Sequence, residues 1–291
     1  MNKHFLWGML LTFSLSINAQ NQAPPSTDIY VYDLKEKKGK ITLSKGQNIT
    51  NRDGYDNQPH FYTPEYLLYT SYRDGQTDIF VHDLYEGKSR NMTKTKESEY
   101  SAVMVPGFDS YASVRVEEDG RQRLWLFHMD TKKEPQLVFD DLAPVGYHAW
   151  SGTDVATFIL GDPVSLVLTN AKERKDRIIT KNIGRTLKHI PGTKDFAFER
   201  TEESGEQVIY RLNVSSGEFQ KIISKPGKAP DWTITMEGTF ITSVGTELMA
   251  YNPKSDQDWK PLTDLGSQAS KGITRMAVSD DNRKIAIVIN R

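Results

Sequence analysis

The chain is predicted to be an all-β protein, a six-bladed β-propeller whose N- and C-terminal strands share one blade. Three observations predict it. A short segment recurs six times at near-constant spacing, β-branched and aromatic runs are punctuated by Asp-Gly and Ser-Gly turns, and helix-period stretches are essentially missing. The first copy of the segment is Thr27-Asp28-Ile29-Tyr30-Val31-Tyr32-Asp33-Leu34 and the second is Thr77-Asp78-Ile79-Phe80-Val81-His82-Asp83-Leu84. Looser copies lie at residues 123–129, 166–170, 209–214 and 248–252. Anchored on Ile29, Ile79, Leu124, Leu166, Ile209 and Leu248, the spacings are 50, 45, 42, 43 and 39, close to the period of about 40–50 residues of one four-stranded blade.

A second strand pair precedes each later copy. Pro59-His60-Phe61 leads to Tyr66-Leu67-Leu68-Tyr69, and related pairs begin near Val103, His148, His189, Asp231 and Met276. The turns Arg73-Asp74-Gly75, Glu118-Asp119-Gly120 and Ser204-Gly205 have the chemistry that tolerates positive φ. The two ends are out of phase with the repeat. The N-terminal part supplies strands near residues 29–34 and 41–49, and the C-terminal part supplies strands near 273–278 and 285–289, so both ends complete one blade and leave no open sheet edge. Residues 20–291 are read as a single domain.

The unit Pro59-x-Phe61, Leu67-x-Tyr69-x-Ser71-x-Arg73-Asp74-Gly75, Asp78-Ile79-Phe80-x-x-Asp83 and Asn91-Met92-Thr93 resembles the repeat of TolB-like β-propellers, related in pattern to WD-type repeats. Ser279-Asp280-Asp281-Asn282-Arg283-Lys284 is similar to that family's Ser-Pro-Asp-Gly-Lys hairpin, with Asp280 in place of proline and Asn282 in place of glycine. Asn48-Ile49-Thr50 and Pro261-Leu262-Thr263 match the outer-strand end of the unit. The resemblance implies an exported ring that binds a protein or ligand. It implies a fold more firmly than a function.

Composition narrows the classes. The 291 residues hold 37 Lys+Arg against 38 Asp+Glu, a balance that argues against nucleic-acid binding. Mean hydropathy of −0.57 argues against a polytopic membrane protein. Zero cysteines exclude disulfides and thiolate chemistry. Residues 1–19 read as a signal peptide: Lys3 and His4 precede an apolar stretch of 13 residues, Phe5 to Ile17, and Ala19 stands at the expected cut. The expected location is therefore periplasmic or extracellular, with no membrane span after cleavage and a monomeric state.

No Gly-x-Ser-x-Gly elbow, His-Glu-x-x-His pair or Walker-type phosphate loop is present. The candidate constellation is instead His60, His189 and Asp231 at one inner-strand position, with His148 one place earlier. Neutral imidazoles and a carboxylate converging on a channel mouth offer acid–base work or a divalent metal site. Hydrogen bonding between blades is the plainer account of the same residues, and no cofactor is expected. His60, His148, Asp231 and Trp259 are the candidate ligand-binding residues. Trp259, near Asp256 and Asp258, is expected to be exposed, whereas Trp125, Trp150 and Trp232 are expected in blade packing. The acidic segment 51–57 invites a calcium loop but lacks the first acidic ligand and terminal Glu of an EF-hand; a solvated turn is preferred. The function expected is a non-enzymatic binding scaffold of the bacterial cell envelope, for a protein or glycan. The alternative is a propeller-borne polysaccharide lyase or hydrolase with a His-rich channel site.

Overall fold

The computed structural model describes residues 23–291 apart from 38; the expected signal peptide lies outside the described residues. Six antiparallel sheets form the six blades. Blade 1 runs through Asp56–Thr63, Tyr66–Arg73, Gln76–Asp83 and Lys88–Asn91, and blade 2 through Ser98–Met104, Ser110–Val116, Gln122–His128 and Gln136–Leu137. Blade 3 comprises Val145–Ser151, Asp154–Ile159, Ser165–Asn170 and Arg177–Lys181, and blade 4 Ile183–His189, Phe196–Thr201, Gln207–Leu212 and Phe219–Ser224. Blade 5 comprises Trp232–Ile234, Phe240–Val244, Glu247–Tyr251 and Lys260–Asp264. Blade 6 takes Ile273–Val278 and Lys284–Asn290 from the C-terminus, then Thr27–Lys37, Lys40–Leu43 and Gln47–Asn48 from the N-terminus. Among the described residues the one helical element is the short 3-10 turn Gly266–Ala269.

The seam forms as the repeat phase predicts. Ile29 lies opposite Val288 and Tyr32 opposite Ile285, and Lys284 closes the end of the pairing on Asp33 at 2.9 Å. Period-two alternation then splits each strand between two interfaces. Ile29, Val31, Ala286 and Val288 pack on blade 1, while Tyr32, Leu34, Ile285, Ile287 and Ile289 pack on blade 5. Among the described residues the apolar side chains gather in six clusters, one at each junction between consecutive blades. A blade therefore buries both faces, which explains strands that are nearly continuous in apolar residues. The inner strands neighbour one another in order from blade 1 to blade 6 and back to blade 1.

Hairpin chemistry matches the sequence. Asp74 and Gly75 both adopt positive φ, 51° and 91°, as a two-residue type I′ loop requires. Asn282 also has positive φ, 59°, so it fills the glycine position of the repeat with a residue that tolerates that backbone.

The Asp and Asn-x-Thr elements of the repeat are two halves of one clamp. Asp78 accepts from Asn91 Nδ2 at 2.8 Å and Thr93 Oγ1 at 3.2 Å, while Thr93 Oγ1 accepts from the Ile79 amide at 3.2 Å. In blade 6, Asp28 accepts from Asn48 Nδ2 at 2.9 Å and Thr50 Oγ1 at 3.4 Å, and the Ile29 amide donates to Thr50 Oγ1 at 3.0 Å. The chain beyond the outer strand is thus pinned back to the third strand of its blade. Asp78 is buried and also accepts from Gln76 Nε2 at 3.0 Å. Replacing it by alanine strands three donors, and Asp78→Ala is expected to cost about 2–3 kcal/mol. Asp141→Ala, at an exposed position, is expected to stay within about 0.5 kcal/mol of the parent. Equilibrium urea unfolding of both variants checks this, and equal midpoints would refute the clamp.

Candidate functional site

The inner strands are irregular where they meet. Register shifts interrupt five of the six, between Asn57 and His60, Tyr100 and Val103, Val145 and Tyr147, Ile183 and Leu187, and Ile273 and Arg275. Gln58 and Ser101 lie inside two of these shifts with positive φ of 54° and 58°. An inserted residue re-aims the side chains around it. Here the re-aimed residues line a central cavity of about 80 Å³ to which all six inner segments contribute, among them His60, His148, Lys188, Asp231 and Arg275.

Three of the four expected site residues meet there. His148 is buried, and both ring nitrogens are occupied: Nε2 lies 2.9 Å from the Ser101 carbonyl and Nδ1 accepts from Trp150 Nε1 at 3.0 Å. This fixes a neutral imidazole with its proton on Nε2, bridging blades 3 and 2. Burial pushes its pKa down to about 4, against the opposing pull of the Ser101 carbonyl. Asp231 is buried and equally committed. Its Oδ1 accepts from Thr186 Oγ1 of blade 4 at 2.6 Å, and its Oδ2 from the Met276 amide of blade 6 at 2.8 Å. Its own carbonyl accepts from Thr242 Oγ1 of blade 5 at 2.7 Å. His60 lines the cavity as a half-buried ring. Burial, then Lys188 and His148, push its pKa down to about 3, so it too is neutral.

His189 is not brought to the cavity. Counting along the repeats aligned it with His60, but the register shift earlier in its strand leaves Lys188 as the lining residue. His189 instead places Nε2 2.6 Å from the Thr193 carbonyl and sets its ring edge-on to Phe196. In blade 6 the lining residues are Arg275 and Met276, while Ala277 packs against blade 1. Trp259 is half-buried rather than exposed. It packs against Tyr251 at 5.7 Å between ring centroids and donates Nε1 to the Ser224 carbonyl at 2.8 Å, joining the interface of blades 4 and 5. Trp150 and Trp232 are buried in blade interfaces as expected, and the half-buried Trp125 lies under the Arg115 guanidinium.

Segment 51–57 begins as a solvated turn, with Asn51 and Asp53 exposed and Asn48 Oδ1 capping the Asn51 amide, and ends buried at Asp56 and Asn57. Arg52 stands where a cation would: its Nε lies 2.9 Å from Asp56 Oδ2 and its Nη2 donates to Asp56 Oδ1, Ser71 Oγ and the Tyr72 carbonyl. Among the described residues no group of three or more His, Asp or Glu is placed to hold a metal ion.

Sequence reasoning missed the basic residues of the cavity. Arg185 Nη2 donates to the carbonyls of Thr274, 2.8 Å, and Pro230, 3.2 Å. Arg275 Nη2 reaches from blade 6 to the Tyr147 hydroxyl of blade 3 at 3.0 Å, with its guanidinium 5.2 Å from that ring's centroid. Lys188 Nζ has the Met276 carbonyl at 3.5 Å. Two basic residues within Gly184-Arg185-Thr186-Leu187-Lys188-His189, where the inner strands of blades 1, 2, 3 and 5 hold no Lys or Arg, are the signal that could have found them.

His148 gives a pH test. Its folded-state pKa lies below the ordinary value of 6.5, so its share of stability is complete above about pH 6.5 and is lost as pH falls through about 4. The full loss is about 3 kcal/mol. In His148→Gln the pH dependence of urea unfolding over that window is expected to flatten by one proton; an unchanged slope would show that His148 is not the linked group.

No protein-family model matches the chain, and no curated protein sequence matches it. Solved structures do. A TolB homologue from Agrobacterium tumefaciens, described as putative, is 14% identical over 92% of this chain and 99% of its own, with a TM-score of 0.66. A gluconolactonase from Xanthomonas campestris is 10% identical over 94% of this chain and 99% of its own, with a TM-score of 0.61. An oligogalacturonate lyase in complex with manganese is 13% identical over 87% of this chain and 83% of its own, with a TM-score of 0.57. No helix among the described residues is long and apolar enough to cross a membrane. At these identities the likeness carries the fold alone: the chain is a six-bladed β-propeller with TolB-like propellers among its structural neighbours.

Proposed function

We propose that the protein is an exported, non-catalytic binding scaffold of the bacterial cell envelope, with the central cavity and its surrounding loops as the binding surface for an envelope protein or glycan. The observation that carries this reading is the commitment of the two best chemical groups. His148 spends both ring nitrogens, and Asp231 both carboxylate oxygens, on joining neighbouring blades. Groups held in this way are poor proton shuttles and poor metal ligands, because either role would break an inter-blade bond. The six inner segments nonetheless converge on one concave site, the usual position for a ligand on a ring-shaped fold. Signal-peptide chemistry in residues 1–19 and the TolB-like repeat support the envelope location.

One observation favours the second reading, a lyase or hydrolase on acidic polysaccharide. None of the hydrogen bonds among the described residues engages the His60 ring, so it is the one imidazole of the cavity whose nitrogens are free to meet a substrate; an anionic substrate beside it would raise its lowered pKa.

The binding reading is checked by passing an envelope extract over immobilised residues 20–291. Retention of a discrete protein or glycan, absent from resin alone and from heat-denatured chain, is the expected outcome; an empty eluate would sink it. In parallel, acidic polysaccharides are incubated with the protein and unsaturated or shortened products are followed. No turnover is expected, and turnover that disappears in His60→Ala would replace the scaffold with the enzyme.

A further inference from the structure

The cavity has a charge imbalance that the scaffold reading leaves unexplained. Arg185, Lys188 and Arg275 all line it, and Asp231 is the one carboxylate among its lining residues. Asp231 is already saturated by a hydroxyl and an amide, and none of the three cations forms an ion pair with it among the described residues. The partners of the cations are neutral: backbone carbonyls for Arg185 and Lys188, a phenol hydroxyl for Arg275. Arg275 Nη1 is buried with no hydrogen-bond partner, and the 3.5 Å contact of Lys188 is at the limit of a hydrogen bond.

Three cations half withdrawn from water with one carboxylate among them are unfavourable unless something compensates. The two histidines add nothing, since both are neutral. Burial lowers the pKa of both Lys188 and Arg185; the Asp231 carboxylate opposes this without cancelling it, and Arg275 adds to it by like-charge repulsion. The site is thus strained in one electrostatic sense, which an anion would relieve. Its size limits the choice. A liquid water occupies about 30 Å³, so a cavity of about 80 Å³ admits a few waters or one small charged group. Two guanidinium groups approaching from blades 4 and 6, with an ammonium between them in sequence, suit the planar or tetrahedral oxygens of such a group.

We infer that the central cavity is a receptor for one small oxyanion, a carboxylate or phosphate group, bound by Arg185, Lys188 and Arg275. This rests on the scaffold reading for its location and names the chemistry that the cavity selects. The oxyanion is recognised by charge and by the forked donors, and the Tyr147 hydroxyl and His60 ring supply neutral polar walls.

The test is calorimetric and thermal titration of residues 20–291 with inorganic phosphate, with galacturonate and with uncharged galactose, at constant ionic strength set by chloride. A saturable rise in Tm and a binding isotherm are expected with phosphate, galacturonate or both, and none with galactose. Phosphate alone assigns a phosphoryl ligand, and galacturonate alone a carboxylate. Lys188→Met and Arg275→Met are each expected to weaken binding at least tenfold, while Arg121→Met on an exposed loop leaves it unchanged. Lys188→Met removes a half-buried charge that has no ion-pair partner and is expected to fold at least as well as the parent, so it carries the test if Arg275→Met does not fold. The inference is overturned if neither anion binds saturably, or if folded Lys188→Met binds as the parent does. A parent chain that captures an envelope partner yet ignores both anions would overturn this inference and leave the scaffold standing.

Discussion

The structure depends on the antiparallel pairing of Thr27–Lys37 with Lys284–Asn290. Each blade buries both of its faces against neighbours, so an open ring would expose the apolar faces of two blades to water. Ile29, Ile285, Ile287 and Val288 are fully buried at the seam, and each such side chain contributes about 1.5–3 kcal/mol by leaving water. Closure also creates the site. Arg275 belongs to the C-terminal half of the seam blade, and it meets Tyr147 of blade 3 across the ring because the N-terminal strand completes the circle behind it.

Packing alone would give a closed ring with a featureless centre. What shapes the centre is the disruption of inner-strand pairing, where extra residues turn polar side chains towards the axis. Gly184 shows how tight the arrangement is. A Cβ there would overlap the Glu199 carboxyl, which accepts from the buried Lys225 ammonium at 2.6 Å and from Trp232 Nε1 at 3.0 Å. The backbone next to Arg185 can therefore follow its path only without a side chain at that point, and the position of a cavity cation is set by an ion pair outside the cavity.

The fold was legible in the sequence because its signals are local and periodic. The six copies, the Asp-Gly turns and the out-of-phase ends each reflect a physical requirement that one sequence displays directly. The Asp and Asn-x-Thr elements were visible as repeats, though their bonding to each other was not. The site was legible only in part, because counting residues along a strand assumes two per pleat. A shift in register adds residues, and in blades 1 and 2 no glycine announces it: Gln58 and Ser101 adopt positive φ, an uncommon conformation for either. That is why His60, His148 and Asp231 converged as expected while His189 gave way to Lys188. Arg185 and Arg275 were overlooked because a charged residue in a strand reads as an exposed one, and only the closed ring turns them inward.

Closure and charge are linked through Asp231. Its side chain and carbonyl bond to blades 4, 6 and 5, so the one acid among the lining residues serves as a three-way joint. His148 serves similarly between blades 2 and 3, and such a joint requires a neutral ring because Nδ1 must accept from Trp150. Asp231 keeps its charge, because its partners are a hydroxyl and an amide, but it is one carboxylate facing three cations. The basic side chains bond to carbonyls and a hydroxyl, which bear partial charges only, so their full charges remain for the cavity. The positive centre of the ring thus follows from how the ring is joined.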